Sequence, residues 1–293
     1  MTTPRAVFER LLRGIEEGRW TELADLYAED TAVEIPRGAT AIRLDGRHAV
    51  RAHFDHAPDL GLSIGDPVVH ETTDPEVIVA EYRYRSDAFD AANIGVLRIR
   101  DGLIQASRDY HDHLALAAAI GGLDELASTV EKANARLGSD PLTSPGTPSA
   151  PANTPEGTFE RLVYGLSAGL REEQAELYAE PTLVTHPFRA STPPLRTRAE
   201  LRAHFARAKV DLRARNLVLH KGIDPELVIG EFQYTGDAST GKRFLASNIF
   251  VTRVRDGLIV ESRDYGDGLA LSAAAGTLPD LIAAARGYAG PRK

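Results

Sequence analysis

The 293-residue chain has no cysteine, one methionine and one tryptophan, and aromatic residues make up only 6% of it. Without cysteine there is no disulfide, no thiol nucleophile, no zinc–thiolate site and no iron–sulfur cluster. That absence is compatible with a reducing compartment, and a cytoplasmic protein is expected. The first 30 residues carry charges throughout and lack the apolar core of a signal peptide. No run reaches the roughly 18 apolar residues of a membrane span, so no membrane partner is expected. Basic residues are outnumbered, 34 against 42 acidic ones, for a net charge of −8. Such a chain is a poor candidate for holding nucleic acid through a broad basic face. It contains no glycine-rich phosphate loop, no dinucleotide fingerprint and no Gly-x-Ser-x-Gly elbow, and no cofactor is expected.

What remains is ordinary globular composition, 43% hydrophobic and 26% charged, written twice. Phe8-Glu9-Arg10-Leu11 returns as Phe159-Glu160-Arg161-Leu162, and Arg51-Ala52-His53-Phe54 as Arg202-Ala203-His204-Phe205. The segment at 100–110 returns at 255–265 with 9 of 11 positions identical. A period this long is a duplicated domain rather than a solenoid repeat. Between the copies, 139–155 is rich in Pro, Ser and Thr and reads as a linker. The domains are therefore placed at 1–138 and 156–293.

Each copy has the same order of elements. Val7, Leu11, Leu12 and Ile15 recur at helical spacing, with Thr3 before Pro4 as the cap. A short helix is expected over 21–28, a strand over 31–35 stopped by Pro36, and a third helix over 46–56. Strands follow at 62–72, 76–85, 91–100 and 103–111, with turns at Asp74-Pro75 and Asp101-Gly102. A further helix begins at Leu114. Helices segregated from a meander make an α+β domain. Two tandem cone-shaped domains are expected, each a curved antiparallel or mixed sheet wrapped around helices with an apolar cavity.

This order, with Asp101-Gly102-Leu103-Ile104 and Ser107-Arg108-Asp109-Tyr110 and their counterparts Asp256-Gly257-Leu258-Ile259 and Ser262-Arg263-Asp264-Tyr265, resembles the SnoaL-like branch of the nuclear transport factor 2-like superfamily. The resemblance covers nearly all of both repeats. It implies a cone-shaped fold and places the chain near polyketide cyclases, ketosteroid isomerases, limonene-epoxide-hydrolase-like enzymes and non-catalytic binding domains. Members usually pair through their sheets, so the two halves are expected to pair as an intramolecular pseudo-dimer.

Strand parity puts Ser107, Asp109 and His111 on one face of the last strand and Arg108 and Tyr110 on the other. The resemblance to epoxide hydrolases assigns Asp109 and Asp264 to the aspartate of an Asp-Arg-Asp triad. The family's Arg-x-Asp falls on Glu81-x-Arg83 and Glu231-x-Gln233, so neither copy has the full triad. Asp109 with Glu81, and Asp264 with Glu231, are the carboxyl pairs left for acid–base work. The general-base aspartate of ketosteroid isomerases falls on Ile35 and His186. The oxyanion-hole positions fall near Leu11 and Gly95, or Leu162 and Phe250, which supply no donor. His186 is either a base titrating near neutrality or the cap of a strand end.

Asn93 and Asn248 recur in apolar strands and need partners; with Arg83, Gln233, Ile35, Ser107 and Ser262 they are the expected substrate-binding set. Asp112 and Asp267 read as helix N-caps. His111-Asp112-His113 becomes Gly266-Asp267-Gly268 in copy two and lacks the three or four converging ligands of a metal site, so no metal is expected. The expected function is a cofactor-free acid–base enzyme on a hydrophobic polyketide- or terpenoid-like small molecule, by cyclisation, isomerisation, dehydration or epoxide opening. The alternatives are a non-catalytic binding or scaffold protein, or one active and one structural half.

Overall fold

The computed structural model describes residues 2–58, 60–87, 89–189, 191–207 and 210–286. The chain divides into two compact units, one made of residues 2–126 with 282–286 and the other of residues 127–281.

In the first unit, Thr3 accepts from the Ala6 amide and starts α1 (Pro4–Glu16), whose face of Val7, Phe8, Leu11, Leu12 and Ile15 is buried. Then come α2 (Trp20–Leu23), β1 (Tyr27–Arg37), β2 (Thr40–Asp45), α3 (Arg47–Asp55), β3 (Ser63–Glu71), β4 (Val77–Arg85), β5 (Asp90–Arg100), β6 (Leu103–His111) and α4 (His113–Ala119); α5 (Leu123–Ala135) starts in this unit, and its residues from 127 on belong to the second. The sheet order is β2-β1-β6-β5-β4-β3, with only β1–β6 parallel. Asp101 and Gly102 both take positive φ, 54° and 78°, the conformation a two-residue hairpin turn needs. The core joins α1 to the inner sheet face through Phe8, Leu12, Ile78, Ala80, Leu97, Ile99 and Ile104.

The second unit repeats this plan with α6 (Pro155–Ser167), β7 (Tyr178–Thr185), α7 (Arg198–Arg207), β8 (Asp211–Lys221), β9 (Leu227–Asp237), β10 (Arg243–Arg255), β11 (Leu258–Gly266) and α8 (Gly268–Ala275); α9 (Leu278–Arg286) starts in it, and its residues from 282 on belong to the first unit. Its order is β7-β11-β10-β9-β8, with β7–β11 parallel. Both units are α+β: a mixed sheet with helices against one face. None of the described helices is long and apolar enough to cross a membrane.

Three local expectations change. Pro36 does not stop β1, which runs to Arg37 and turns back as β2. Pairing with β6 has already ended at Glu34, so the missing amide of Pro36 forfeits no bond on that side. The helix expected over 21–28 shrinks to α2 and a 3₁₀ turn at Ala24–Leu26, because Tyr27 already pairs with Ile104. In copy two the β1–β2 hairpin gives way to a 3₁₀ turn at Pro187–Arg189 and a single bridge between Val184 and Leu195. The segment before Pro155 has no regular structure, yet it is fastened: the Glu160 carboxylate accepts from the Ala150 amide (2.8 Å) and the Ser149 hydroxyl (2.9 Å).

Ile104 is fully buried under α1, whereas Ile223 is 63% exposed. Urea titration should therefore show Ile104→Ala losing about 2–5 kcal/mol and Ile223→Ala staying within about 0.5 kcal/mol of the parent. Equal losses would contradict this core.

Candidate functional site

Alternation along β4 turns Ala80, Tyr82 and Tyr84 inward, and register places Tyr82 beside Asn93 and Gly95 beside Asp109. Tyr82, Tyr84 and Asp109, with residues of α1, α3 and α4, line a cavity of about 380 Å³. Its wall is apolar and aromatic: Trp20, Tyr27, Ile35, Phe54, Tyr82 and Tyr84, with Asp109, His53, His111 and His113 as polar points. Gly95 lacks a side chain where a Cβ would sit 3.0 Å from Asp109 Oδ1, so the glycine makes room for the carboxyl.

The Ser107 hydroxyl donates to Asp109 Oδ2 at 2.8 Å. Asp109 is half-buried and lines the cavity. Burial therefore pushes its pKa up to about 6, against the smaller opposing effects of the Ser107 hydrogen bond and Arg108. The histidines move the other way. His111, bonded through Nδ1 to Asn93 Oδ1 (2.7 Å), is driven down to about 3 by burial and its histidine neighbours. His113, bonded to the Pro36 carbonyl (2.7 Å), falls to about 4 through burial. Both rings are neutral near pH 7.

Copy two builds the same site with different fillings. Its cavity is about 210 Å³ and is lined by Tyr178, Phe188, Tyr234, Phe244 and Phe250 together with His186, His204, Arg171, Arg189, Asn248, Asp264 and Asp267. Phe250 takes the place of Gly95, beside Asp264 and opposite Gly230, which replaces Ala80. A Cβ at 230 would collide with the Phe159 ring. The Ser262 hydroxyl donates to Asp264, whose pKa burial raises to about 7. His186 stacks near His204, with ring centroids 5.1 Å apart, and falls to about 4 through burial, His204 and Arg189. Its Nδ1 is buried with no hydrogen-bond partner among the described residues.

The residues expected from sequence separate into two faces. Asp109, Asp264, Ile35, His186 and Asn248 line the cavities. Ser107, Ser262 and Asn93 stand behind the lining, the serines on the aspartates and Asn93 on His111. The expected pairing of Asp109 with Glu81 and Arg83, and of Asp264 with Glu231 and Gln233, is corrected. Being odd-numbered beside the inward Tyr82, Glu81 and Arg83 point to the opposite face of the sheet. There Glu81 bonds His70 (2.6 Å) and Arg83 bonds Asp90 (2.6 Å). Glu231 likewise meets His220 (2.7 Å), and Gln233 accepts from Asn216 (2.9 Å). These bonds also give the repeated His70 and His220 their place.

Asp112 and Asp267 cap their helices by accepting from the amides of Ala115 (3.0 Å) and Leu269 (2.9 Å). Among the described residues no group of three or more acidic, histidine or cysteine side chains converges as a metal site. Sequence reasoning missed the aromatic wall, although Tyr82 and Tyr84 alternate on one strand face. It also missed Arg171 and Arg189, which carry no repeat signal.

Two outcomes follow from the raised carboxyls. Carboxyl-carbon NMR titration should find Asp109 near 6 and Asp264 near 7, and Ser107→Ala should move Asp109 higher because it removes a donor to the charged form. Both folded pKa values lie above the usual unfolded value of about 3.9. The folded state thus binds more protons in between, and the contribution of these groups to stability, full below about pH 4, is lost as pH rises through 6 and 7. Denaturation followed across pH should show that decline, and Asp109→Asn with Asp264→Asn should flatten it; an unchanged profile would contradict the burial argument.

The family profile described as a SnoaL-like domain matches residues 8–107 and 159–262, more than half of the chain. An uncharacterised PhzA/B-like protein of Pseudomonas aeruginosa is 30% identical over 131 residues, covering 42% of this chain and 93% of that protein. Among solved structures, a proposed isomerase from Bacillus subtilis is 25% identical over 41% of this chain and 91% of its own, with a TM-score of 0.38. The epoxide hydrolase/cyclase-like enzyme SalBIII, of pyran ring formation in salinomycin, is 14% identical over 36% and 88%, with a TM-score of 0.31. The chain belongs to the SnoaL-like family and carries two copies of its domain in tandem.

Proposed function

We propose that the protein is a cofactor-free acid–base enzyme acting on a hydrophobic small molecule in its SnoaL-like cavities, with Asp109 and Asp264 as the proton-transferring groups. The observation that carries this reading is a carboxyl lining each apolar cavity, Asp109 or Asp264, held by a serine on the same strand and raised to about 6 or 7, the second carboxyl of cavity two, Asp267, being engaged as a helix cap. A carboxyl poised there is usable as base or acid near neutral pH. The lining suits a compact terpenoid- or polyketide-like skeleton, and cyclisation, isomerisation, dehydration and epoxide opening all need such a proton relay. Neutral His111 and His186 are the hydrogen-bonding groups for orienting substrate.

A second reading, binding without turnover, is favoured by one observation: Glu81 and Glu231 lie on the far sheet face, leaving one lining carboxyl in cavity one. The pairing of the two halves within one chain, and a cytoplasmic location, are further proposals resting on the tandem sequence and on its lack of cysteine. Sedimentation of the dilute protein as a monomer supports the first, and a concentration-dependent dimer counts against it.

The test is a panel of monoterpene-sized epoxides and cyclic β-diketones. Turnover should fall by about 10²–10⁴ in the Asp109→Asn, Asp264→Asn double variant. With the aspartate as base, kcat/KM rises through pH 6 to 7; with it as acid, kcat/KM falls over the same interval. A double variant with full turnover on a substrate the parent converts would overturn the site assignment.

A further inference from the structure

The two cavities differ in charge as well as size. No arginine or lysine lines cavity one, although Arg37 acts electrostatically on its lining residue His113. Cavity two is lined by two arginines, Arg171 and Arg189. Arg171 spends one donor on the Val210 carbonyl. The Arg189 guanidinium has no hydrogen-bond or ion-pair partner among the described residues.

Its position depends on two coupled local changes. The 3₁₀ turn at Pro187–Arg189, standing where copy one has the β1–β2 hairpin, brings Arg189 to the cavity. Gly268, standing where copy one has His113, leaves the space the guanidinium occupies, since a Cβ at 268 would collide with it. Beside it, His186 keeps a buried Nδ1 with no partner among the described residues. A buried ring nitrogen without a partner is costly unless something supplies the missing bond. A guanidinium with free donors and a neutral imidazole at one end of an aromatic pocket match a planar anion on an apolar body.

We propose that cavity two binds an apolar carboxylate, with Arg189 pairing the carboxylate and His186 donating to it, while cavity one takes a neutral apolar molecule. This rests on the reading of both cavities as small-molecule sites and gives each a different ligand class. Two acidic groups also face cavity two. The Asp267 carboxylate is engaged as the cap of α8, and Asp264 accepts from Ser262. Both stand against an anion, so the arginines have to outweigh them.

The sole tryptophan, Trp20, lines cavity one, so its fluorescence reports that cavity alone. The probes are 4-phenylbutyrate and its neutral analogue 4-phenylbutan-1-ol, titrated into the full chain by calorimetry and by Trp20 emission. The carboxylate should bind without moving Trp20 emission. Arg189→Gln should weaken it by about tenfold or more, whereas Arg189→Lys should retain most of the affinity. The alcohol should shift Trp20 emission with an affinity that Arg189→Gln leaves unchanged.

Carboxylate binding that is indifferent to Arg189→Gln, that competes for the Trp20-reporting site, or that never saturates would overturn the proposal. Asp264→Asn turnover is a separate readout: its failure strikes the catalytic reading and leaves this binding result standing.

Discussion

Burial of the strand carboxyl that lines each cavity, Asp109 or Asp264, is the constraint around which the rest of the site is arranged. A carboxylate deprived of water must gain partners or give up its charge. Here both happen in part: the serine two residues earlier donates to it, and the apolar wall raises its pKa. The strand neighbour has to yield space, which Gly95 does in copy one. The tyrosines around it are pushed up by the same burial, Tyr84 to about 12, and stay protonated as the carboxyl titrates. Asp109 and Asp264 are therefore placed to change charge near neutrality, while the tyrosines around them are not.

The copies show how one plan accepts different contents. Exchanging Ala80 and Gly95 for Gly230 and Phe250 moves bulk across a pair of neighbouring strands while keeping the core packed against Phe8 or Phe159. Exchanging a hairpin for a 3₁₀ turn, and His113 for Gly268, changes the chemistry at the cavity wall without touching the parallel β1–β6 or β7–β11 pairing. Packing rules limit the first exchange; the second is free to follow the ligand.

Much of the fold was legible. The α1 periodicity, the four meander strands and the Asp-Gly turns all lie within a residue or two of their expected places, because each is a local signal repeated in both copies. Asp109 was legible from strand parity in β6 combined with the family resemblance. The error with Glu81 came from transferring a motif position without applying the same parity: Tyr82 inward forces Glu81 outward. Strand β2 was hidden by Pro36, since a sequence does not say on which side a strand has a neighbour. Arg189 was hidden because its role depends on a glycine far along the chain.

The central claim is that each half holds a carboxyl inside an apolar, accessible cavity, and a crystal structure of the chain under xenon pressure tests it most directly. Xenon enters dry apolar cavities and avoids well-hydrated ones. The account predicts xenon in both cavities, against the Tyr82 and Tyr84 wall in one and the Phe244 and Phe250 wall in the other, each near its aspartate. Cavities closed by collapsed side chains, or filled by ordered water hydrating Asp109 and Asp264, would contradict it.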